Sequence, residues 1–326
     1  MRRAMCKLPG GKMMHVDDEA EIIEAKKSDE KVLWIDIERP DSDDLRLLEE
    51  GFGFHPLSIT DVRESHTAPK LDEYDGYVFQ IVMVPTSISE DRVEHIELSL
   101  YYMQGTLVTV REQPWPALDA LWDSVQHDPV RRLGKGAQTV YHTVVDMAVK
   151  AYEPVINFVE DEIDGLENEV LDPDDGVDSL GPIFRLRRTL RRISRLVRSQ
   201  QESVQRLASG TVKQLRKETC YLFRDVAQHL DLYSGLLEDH RETLAGLRET
   251  YIGVASNRLN LVMKTLTVFS ALMLPLTFLT GLWGMNFDEL PFAHEPYGFW
   301  IFLSVCLAVI GGMLWFMVRA GWMRKV

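Results

Sequence analysis

Between residues 263 and 281, side chains suited to handling an ion recur every fourth or third position. At the helical period of about 100° per residue, Met263, Thr267, Ser270, Leu274, Thr277 and Gly281 share one stripe. The opposite side carries Leu261, Val268, Leu272 and Leu279, all bulky and apolar. Just past the stripe come Gly284, Met285 and Asn286, which put an amide at the end of an apolar helix. No Asp, Glu, Lys or Arg stands on the stripe, so its polar chemistry is that of neutral oxygens that hydrogen-bond water. Such a stripe suits the lining of an aqueous path. It equally suits helix packing in lipid, where Ser, Thr and Gly let helices approach closely. The stripe alone does not separate the two.

The elements that hold these residues are two uncharged runs, 265–287 and 297–318. Each is long enough to cross a hydrocarbon core of roughly 30 Å, which takes about 20 apolar residues. The second run lacks a comparable stripe and has Trp300 and Trp315 near its ends, as expected of an outer, lipid-facing helix. Arg258 and Lys264 precede the first run, and Arg319, Arg324 and Lys325 follow the second. The connecting loop holds Asp288, Glu289, His294 and Glu295 but no Lys or Arg. Positive-inside reasoning puts both termini in the cytoplasm and the acidic loop outside.

Two spans cannot enclose a path, so a pore requires several copies around an axis. Each stripe residue then becomes a ring. Apolar rings at Met263 and Leu274 would gate by dewetting, and polar rings at Thr267, Ser270 and Thr277 would carry a hydrated ion. Asn286 would ring the outer end. Without fixed charge on the lining face, an ion that keeps its waters is favoured, and Mg²⁺ dehydrates reluctantly.

The rest of the chain is soluble in character. It has 326 residues and a net charge of -14, with charge dense up to Arg258 and sparse afterwards. An acidic chain without concentrated bases argues against nucleic acid. Cys6, Cys220 and Cys306 form neither a metal spacing nor a disulfide set. The first residues lack the apolar stretch of a signal peptide. Residues 32–37, 77–84 (ended by Pro85), 93–100 and 106–110 read as strands, the last two as a hairpin around Gln104 and Gly105. Asp41 to Asp44 offer a helix N-cap, and Asp72, Glu73 and Asp75 read as turn and surface residues. From about residue 136 the pattern is helical to 171, with Pro154 as a bend. An acidic segment (Glu160 to Glu169) and an arginine-rich one (Arg185 to Arg198) predict a helical hairpin closed by a turn at 172–176. A third helix, beginning within 213–219, is expected to run into the membrane. Nothing has the nucleophile–base or phosphate-loop character of an enzyme, so no catalytic residue is assigned.

At Gly284, Met285 and Asn286 the chain resembles the CorA metal ion transporters, whose signature is this triplet. The resemblance extends over Asn257 to Asn260, Val262 to Lys264, Leu274 to Phe278, Gly281 and Phe287. Upstream it takes in Phe54 to Leu57, Asp161 to Asp164 and Arg224 to Val226, so it covers nearly the whole chain. It implies an α+β cytoplasmic domain, a long helical stalk and two transmembrane helices in a homopentamer of the cell inner membrane. The implied cargo is Mg²⁺, with Co²⁺ and Ni²⁺ also carried, and no organic cofactor. The plan is then an α/β domain over 1–125, a helical hairpin over 126–212 and a stalk over 213–262. A first span follows over 263–286, then a loop over 287–296, a second span over 297–318 and a basic tail over 319–326.

The resemblance further implies that Gly284, Met285 and Asn286 form the selectivity filter. Met263, Leu266, Thr267, Ser270, Leu274 and Thr277 would line the pore, with Asn260 at its cytoplasmic mouth. Regulatory Mg²⁺ is expected between Asp61 of one subunit and Glu249 of the next, Glu249 standing where the family commonly has Asp. A second regulatory site would use Asp146 and Asp225, but Thr60 stands where an acid is often found. The loop residues Asp288 to Phe292 depart from the commoner Met-Pro-Glu-Leu pattern, which leaves the loop acids without individual roles. Two other readings share much of this architecture: a transporter preferring Zn²⁺, against which Met285 argues, and a membrane-anchored sensor that conducts nothing.

Overall fold

The computed structural model describes residues 1–8, 13–16, 18–27, 32–64, 68–89, 92–129, 133, 136–171, 180–285 and 295–321. The chain divides into two compact units, Met1–Arg248 and Glu249–Val326.

The first unit is built on a seven-stranded sheet. Its strands are β1 (Arg2–Lys7), β2 (Met13–His15), β3 (Val32–Glu38), β4 (Lys70–Tyr74), β5 (Tyr77–Ser89), β6 (Arg92–Met103) and β7 (Thr106–Arg111). In space they run β2-β1-β3-β7-β6-β5-β4. Only β3 and β7 pair in parallel; the other neighbours are antiparallel. The β6–β7 hairpin turns at Gln104 and Gly105, where Gly105 has φ of 82°, a conformation open to glycine at little cost. β5 does not end at Pro85 but runs on to Ser89, because a register shift between Pro85 and Ser87 takes up the missing N–H. Asp72 and Glu73 likewise lie in strand β4 rather than in a turn; the turn follows at Gly76, φ 84°.

Short helices precede the hairpin strands: α1 (Glu19–Lys26), α2 (Ser42–Arg46), which continues as a π-helical turn, and α3 (Pro56–Arg63). Asp41 caps α2 through a reciprocal capping box with Asp44. After β7 come α4 (Pro116–His127), α5 (Ala137–Lys150) and α6 (Glu153–Leu171). Pro154 does not bend one long helix. It stands at the second position of α6, where its missing N–H costs nothing, and the chain breaks at Ala151 and Tyr152.

Adjacent residues of a strand point to opposite faces, and β6 uses this to hold two layers. Tyr101 stacks on Phe54 at 4.1 Å and donates its hydroxyl to the Ser58 carbonyl of α3 at 2.8 Å. Tyr102, one residue on, stacks on Tyr141 of α5 at 5.1 Å. The α5 layer is pinned further by buried polar bonds to β5. The Tyr141 hydroxyl donates to Gln80 Oε1 at 2.7 Å, and the Tyr152 hydroxyl to the Met83 carbonyl at 3.1 Å. Burial pushes both phenols well above their ordinary pKa, so they stay protonated donors.

Helix α7 (Leu180–Ser209) packs on α6 and on β4 to β6. Its buried Ile183, Leu186, Leu190, Ile193 and Val197 recur at helical spacing, with the arginines on the outside. The expected turn at 172–176 lies outside the described residues. Helix α8 then runs unbroken over Lys217–Trp283. Within the first unit it buries Cys220, Phe223, Ala227, Leu230 and Leu237, and Phe223 meets Tyr141 edge-on at 5.5 Å. The second unit holds the remainder of α8 and helix α9 (Gly298–Arg319).

Candidate functional site

Two described helices, α8 and α9, are long and apolar enough to cross a membrane. Within the second unit, α8 presents two unlike sides. Val268, Leu272, Pro275, Leu279 and Trp283 are half-buried, and Trp283 packs on Phe302 of α9 at 4.9 Å between ring centroids. Asn260, Met263, Leu266, Thr267, Leu274, Thr277 and Gly281 are exposed. Leu274, at 69% of its full exposure, is the barest of the apolar stripe residues. Ser270 is half-buried at the edge of the stripe. The side from Val268 to Trp283 is thus partly covered within one chain and most of the stripe is not, although Leu261, Phe269 and Phe278 are exposed as well.

The stripe hydroxyls are not free to point anywhere. Thr267 donates to the Met263 carbonyl at 2.7 Å, and Thr277 to the Met273 carbonyl at 2.9 Å. Each thus spends its one proton on its own helix, one turn back. What remains outward is lone pairs. A surface of oxygen acceptors welcomes the O–H groups of water held by a cation and offers nothing to an anion. Pro275 lies inside the helix and removes one backbone hydrogen bond, yet α8 continues for two more turns.

The helix stops at Trp283. The Gly284 N–H reaches back to the Thr280 carbonyl at 2.9 Å, and a Cβ on Gly284 would stand 3.1 Å from that same oxygen. A side chain at this position would push that oxygen back by a few tenths of an ångström. Met285 follows, exposed. Asn286, the third filter residue, lies outside the described residues, as do Asp288, Glu289, His294, Arg324 and Lys325. Glu295 is described and its carbonyl accepts from the Gly298 N–H at 3.0 Å, at the entry to α9.

The acids expected to be regulatory sit in different surroundings. Asp61, on α3, is paired with the Lys70 ammonium at the start of β4; Lys70 also reaches Asp72 at 3.1 Å. Burial by itself would lower the Lys70 pKa, but the hydrogen bonds to Asp61 and Asp72 outweigh it and raise it. Thr60 is exposed and donates to the Pro56 carbonyl at 3.0 Å. Asp146, on α5, takes Lys150 on Oδ2 at 2.7 Å, while its Oδ1 is buried without a hydrogen-bond partner. Asp225 is exposed on α8. Burial lowers the His142 pKa, and the charge of Asp146, a backbone hydrogen bond at Leu222 and the charge of Asp225 oppose that shift. Glu249 is exposed at the start of the second unit. Among the described residues no three His, Cys, Asp or Glu of one chain gather into a metal-holding cluster.

Lys70 and His142 escaped the sequence reading. His142 precedes Asp146 by four residues on one helix face, a spacing visible in advance. Lys70 and Asp72 alternate on one face of a strand, which was legible only once β4 was known to be a strand.

A scan against protein-family models matches residues 29–319 to "CorA-like Mg2+ transporter protein". Among curated proteins, YfjQ of Bacillus subtilis is 30% identical over 89% of each chain. The cobalt/magnesium transport protein CorA of Thermotoga maritima is 27% identical over 86% of this chain and 80% of its own. A more distant relative, the zinc transport protein ZntB of Photorhabdus laumondii, is 24% identical over 76% of this chain and 75% of its own. Among solved structures, the CorA magnesium transporter from Methanocaldococcus jannaschii superposes with a TM-score of 0.81 at 21% identity, covering 98% of each chain.

Proposed function

We propose that this chain, which belongs to the CorA-like Mg2+ transporter family, forms a homopentameric channel that admits Mg²⁺, and also Co²⁺ and Ni²⁺. It is a transporter of divalent metal ions and not an enzyme; the oligomer, the cargo preference and the gating are the proposal. The observation that carries it is the exposed stripe of α8, whose threonine hydroxyls turn acceptors outward while Val268, Leu272 and Leu279 on the opposite side are half-covered. Five copies around an axis would bury that stripe as an aqueous lining. Rings of Met263 and Leu274 would close it by excluding water, and Thr267, Ser270 and Thr277 would hold the waters of a passing ion. Leu266 would share the lining and Asn260 would flank the cytoplasmic mouth. At the outer end Gly284 closes the helix just before Met285, and Asn286 would present a ring of amide oxygens to the ion's hydration shell. Both termini would then face the cytoplasm across the inner membrane, consistent with Arg258 and Lys264 before the first span and Arg319 after the second.

Regulation fits the same frame. The residues that would hold regulatory Mg²⁺ are Asp61 with Glu249 of a neighbouring subunit, and Asp146 with Asp225. Their carboxylates are the hard oxygen donors this ion takes, and the buried Asp146 Oδ1 has no hydrogen-bond partner among the described residues. Bound there, the ion supplies the positive charge that lets facing carboxylates approach; without it they repel and loosen the assembly. Asp61 stands on α3 and Asp146 on α5, and Asp225 and Glu249 on α8, so this attraction would act on the helix proposed to line the pore.

The test is Mg²⁺ uptake by the Asn286→Ala protein. Loss of uptake with normal assembly in the membrane is expected; normal uptake would sink the filter assignment. A Zn²⁺-preferring carrier is the second reading, favoured by the ZntB relative, and Met285 in the triplet argues against it. Competition among Mg²⁺, Co²⁺, Ni²⁺ and Zn²⁺ for entry decides between the two.

A further inference from the structure

Asp61 already holds a cation in this fold, and it belongs to the protein. Lys70 Nζ donates to Asp61 Oδ2 from across the loop between α3 and β4 and stands 3.1 Å from Asp72 Oδ2. The two aspartates come from different elements, and the ammonium sits where they converge. Lys70 is fixed there from behind as well. Its ammonium also lies over the ring of Phe79 on the neighbouring strand β5, with Nζ 5.5 Å from the ring centroid. The Asp61 side chain is 18% exposed and that of Lys70 32%, so water screens this pair only in part. With Lys70 in place the group of three carries one net negative charge; without it, two.

This inference rests on the regulatory reading of Asp61. A divalent ion bridging Asp61 to an acid of the next subunit must compete with the ammonium for that carboxylate. We propose that Lys70 is a built-in competitor for the cation at Asp61, and that it sets the Mg²⁺ concentration at which the channel closes. The ion meets a site whose competent form, with Asp61 released, is only a fraction of the population, and its apparent affinity falls by that fraction. A partly exposed pair shifts the balance by about fivefold, which is about 1 kcal/mol at roughly 1.4 kcal/mol per tenfold. Lys70 thereby keeps the channel open at Mg²⁺ levels that would otherwise shut it.

The experiment uses the full chain in proteoliposomes and reads the Mg²⁺ concentration on the side of the soluble unit that halves Mg²⁺ flux. Lys70→Gln is expected to close at about fivefold lower Mg²⁺. Lys70→Met, which keeps an unbranched apolar side chain of similar length and removes the charge, is expected to match it. Asp61→Asn should need more Mg²⁺ than wild type, and Asp61→Asn/Lys70→Gln should behave as Asp61→Asn alone, because Lys70 acts through Asp61. If both Lys70 variants follow the wild-type curve while Asp61→Asn is displaced, the competitor role is overturned and the regulatory role of Asp61 stands. If Asp61→Asn itself follows the wild-type curve, the regulatory reading fails and the competitor role falls with it.

Discussion

Replacing Asp36 by alanine tests the packing account where it is most exposed to failure. Asp36 lies in the middle of β3 with its side chain 1% exposed, and its partner Arg111 on β7 is 2% exposed. Asp36 accepts from Arg111 at 3.1 Å, from Arg3 of β1 at 3.0 Å and from the Thr109 hydroxyl at 2.6 Å. One carboxylate thus ties three strands together. Removing one partner of a buried ion pair costs about 3 to 5 kcal/mol, since the other charge is left in a dry interior. Here Arg111 keeps Asp119 at 2.7 Å and Glu38 at 3.2 Å, which points to the low end. At about 2 to 4 °C per kcal/mol for a unit of this size, a loss of about 3 kcal/mol lowers its melting temperature by about 6 to 12 °C. Tryptophan fluorescence during heating reads this unit directly, because Trp34 and Trp122 pack at 4.7 Å and Arg3 lies over the Trp122 ring. The double variant Asp36→Ala/Arg111→Met should be more stable than the sum of the single losses predicts, by about 1 kcal/mol or more, as contacting residues couple. A shift under about 2 °C for Asp36→Ala, or strict additivity in the double variant, would refute the reasoning.

Two further outcomes follow from other parts of the molecule. Leu274→Ser puts hydroxyls into an apolar ring, so Mg²⁺ should still enter at internal Mg²⁺ concentrations that close the wild type; unchanged closure in a flux assay would exclude a dewetting gate there. Tyr141→Phe leaves Gln80 Oε1 without its donor in a fully buried site, and should destabilise the first unit by about 1 to 2 kcal/mol in denaturant unfolding, with the ion preference of the channel unaltered.

Legibility in the sequence tracked the range of the interactions involved. The stripe of α8 follows from a local helical period, and in the structure Met263, Thr267, Leu274, Thr277 and Gly281 are exposed while Ser270 is half-buried. Residues 32–37 and the Gln104–Gly105 hairpin were readable for the same reason. β1 was not, since Arg2–Lys7 has charged ends and becomes a strand only by pairing with β3 along its whole length. β4 carries Lys70, Asp72 and Glu73 and resembles a turn until β5 is laid beside it. Pro85 and Pro154 misled for a common reason. A missing N–H ends an element only where that N–H was needed, and a register shift in one case and a helix start in the other removed the need. The pairing of Lys70 with Asp61 joins a helix to a strand, and no local period announces it. The Gly284, Met285 and Asn286 triplet stood out by its place in the sequence, where two apolar runs meet a short acidic loop.

Mg²⁺ entry into proteoliposomes holding the purified full chain, measured while Mg²⁺ on the side of the soluble unit is varied, addresses the central claim most directly. The account predicts entry when that Mg²⁺ is low, progressive closure as it rises, and loss of entry in Asn286→Ala under every condition. Vesicles that admit no divalent ion at any Mg²⁺ concentration, with the protein correctly inserted, would contradict it and leave a membrane-anchored sensor in its place.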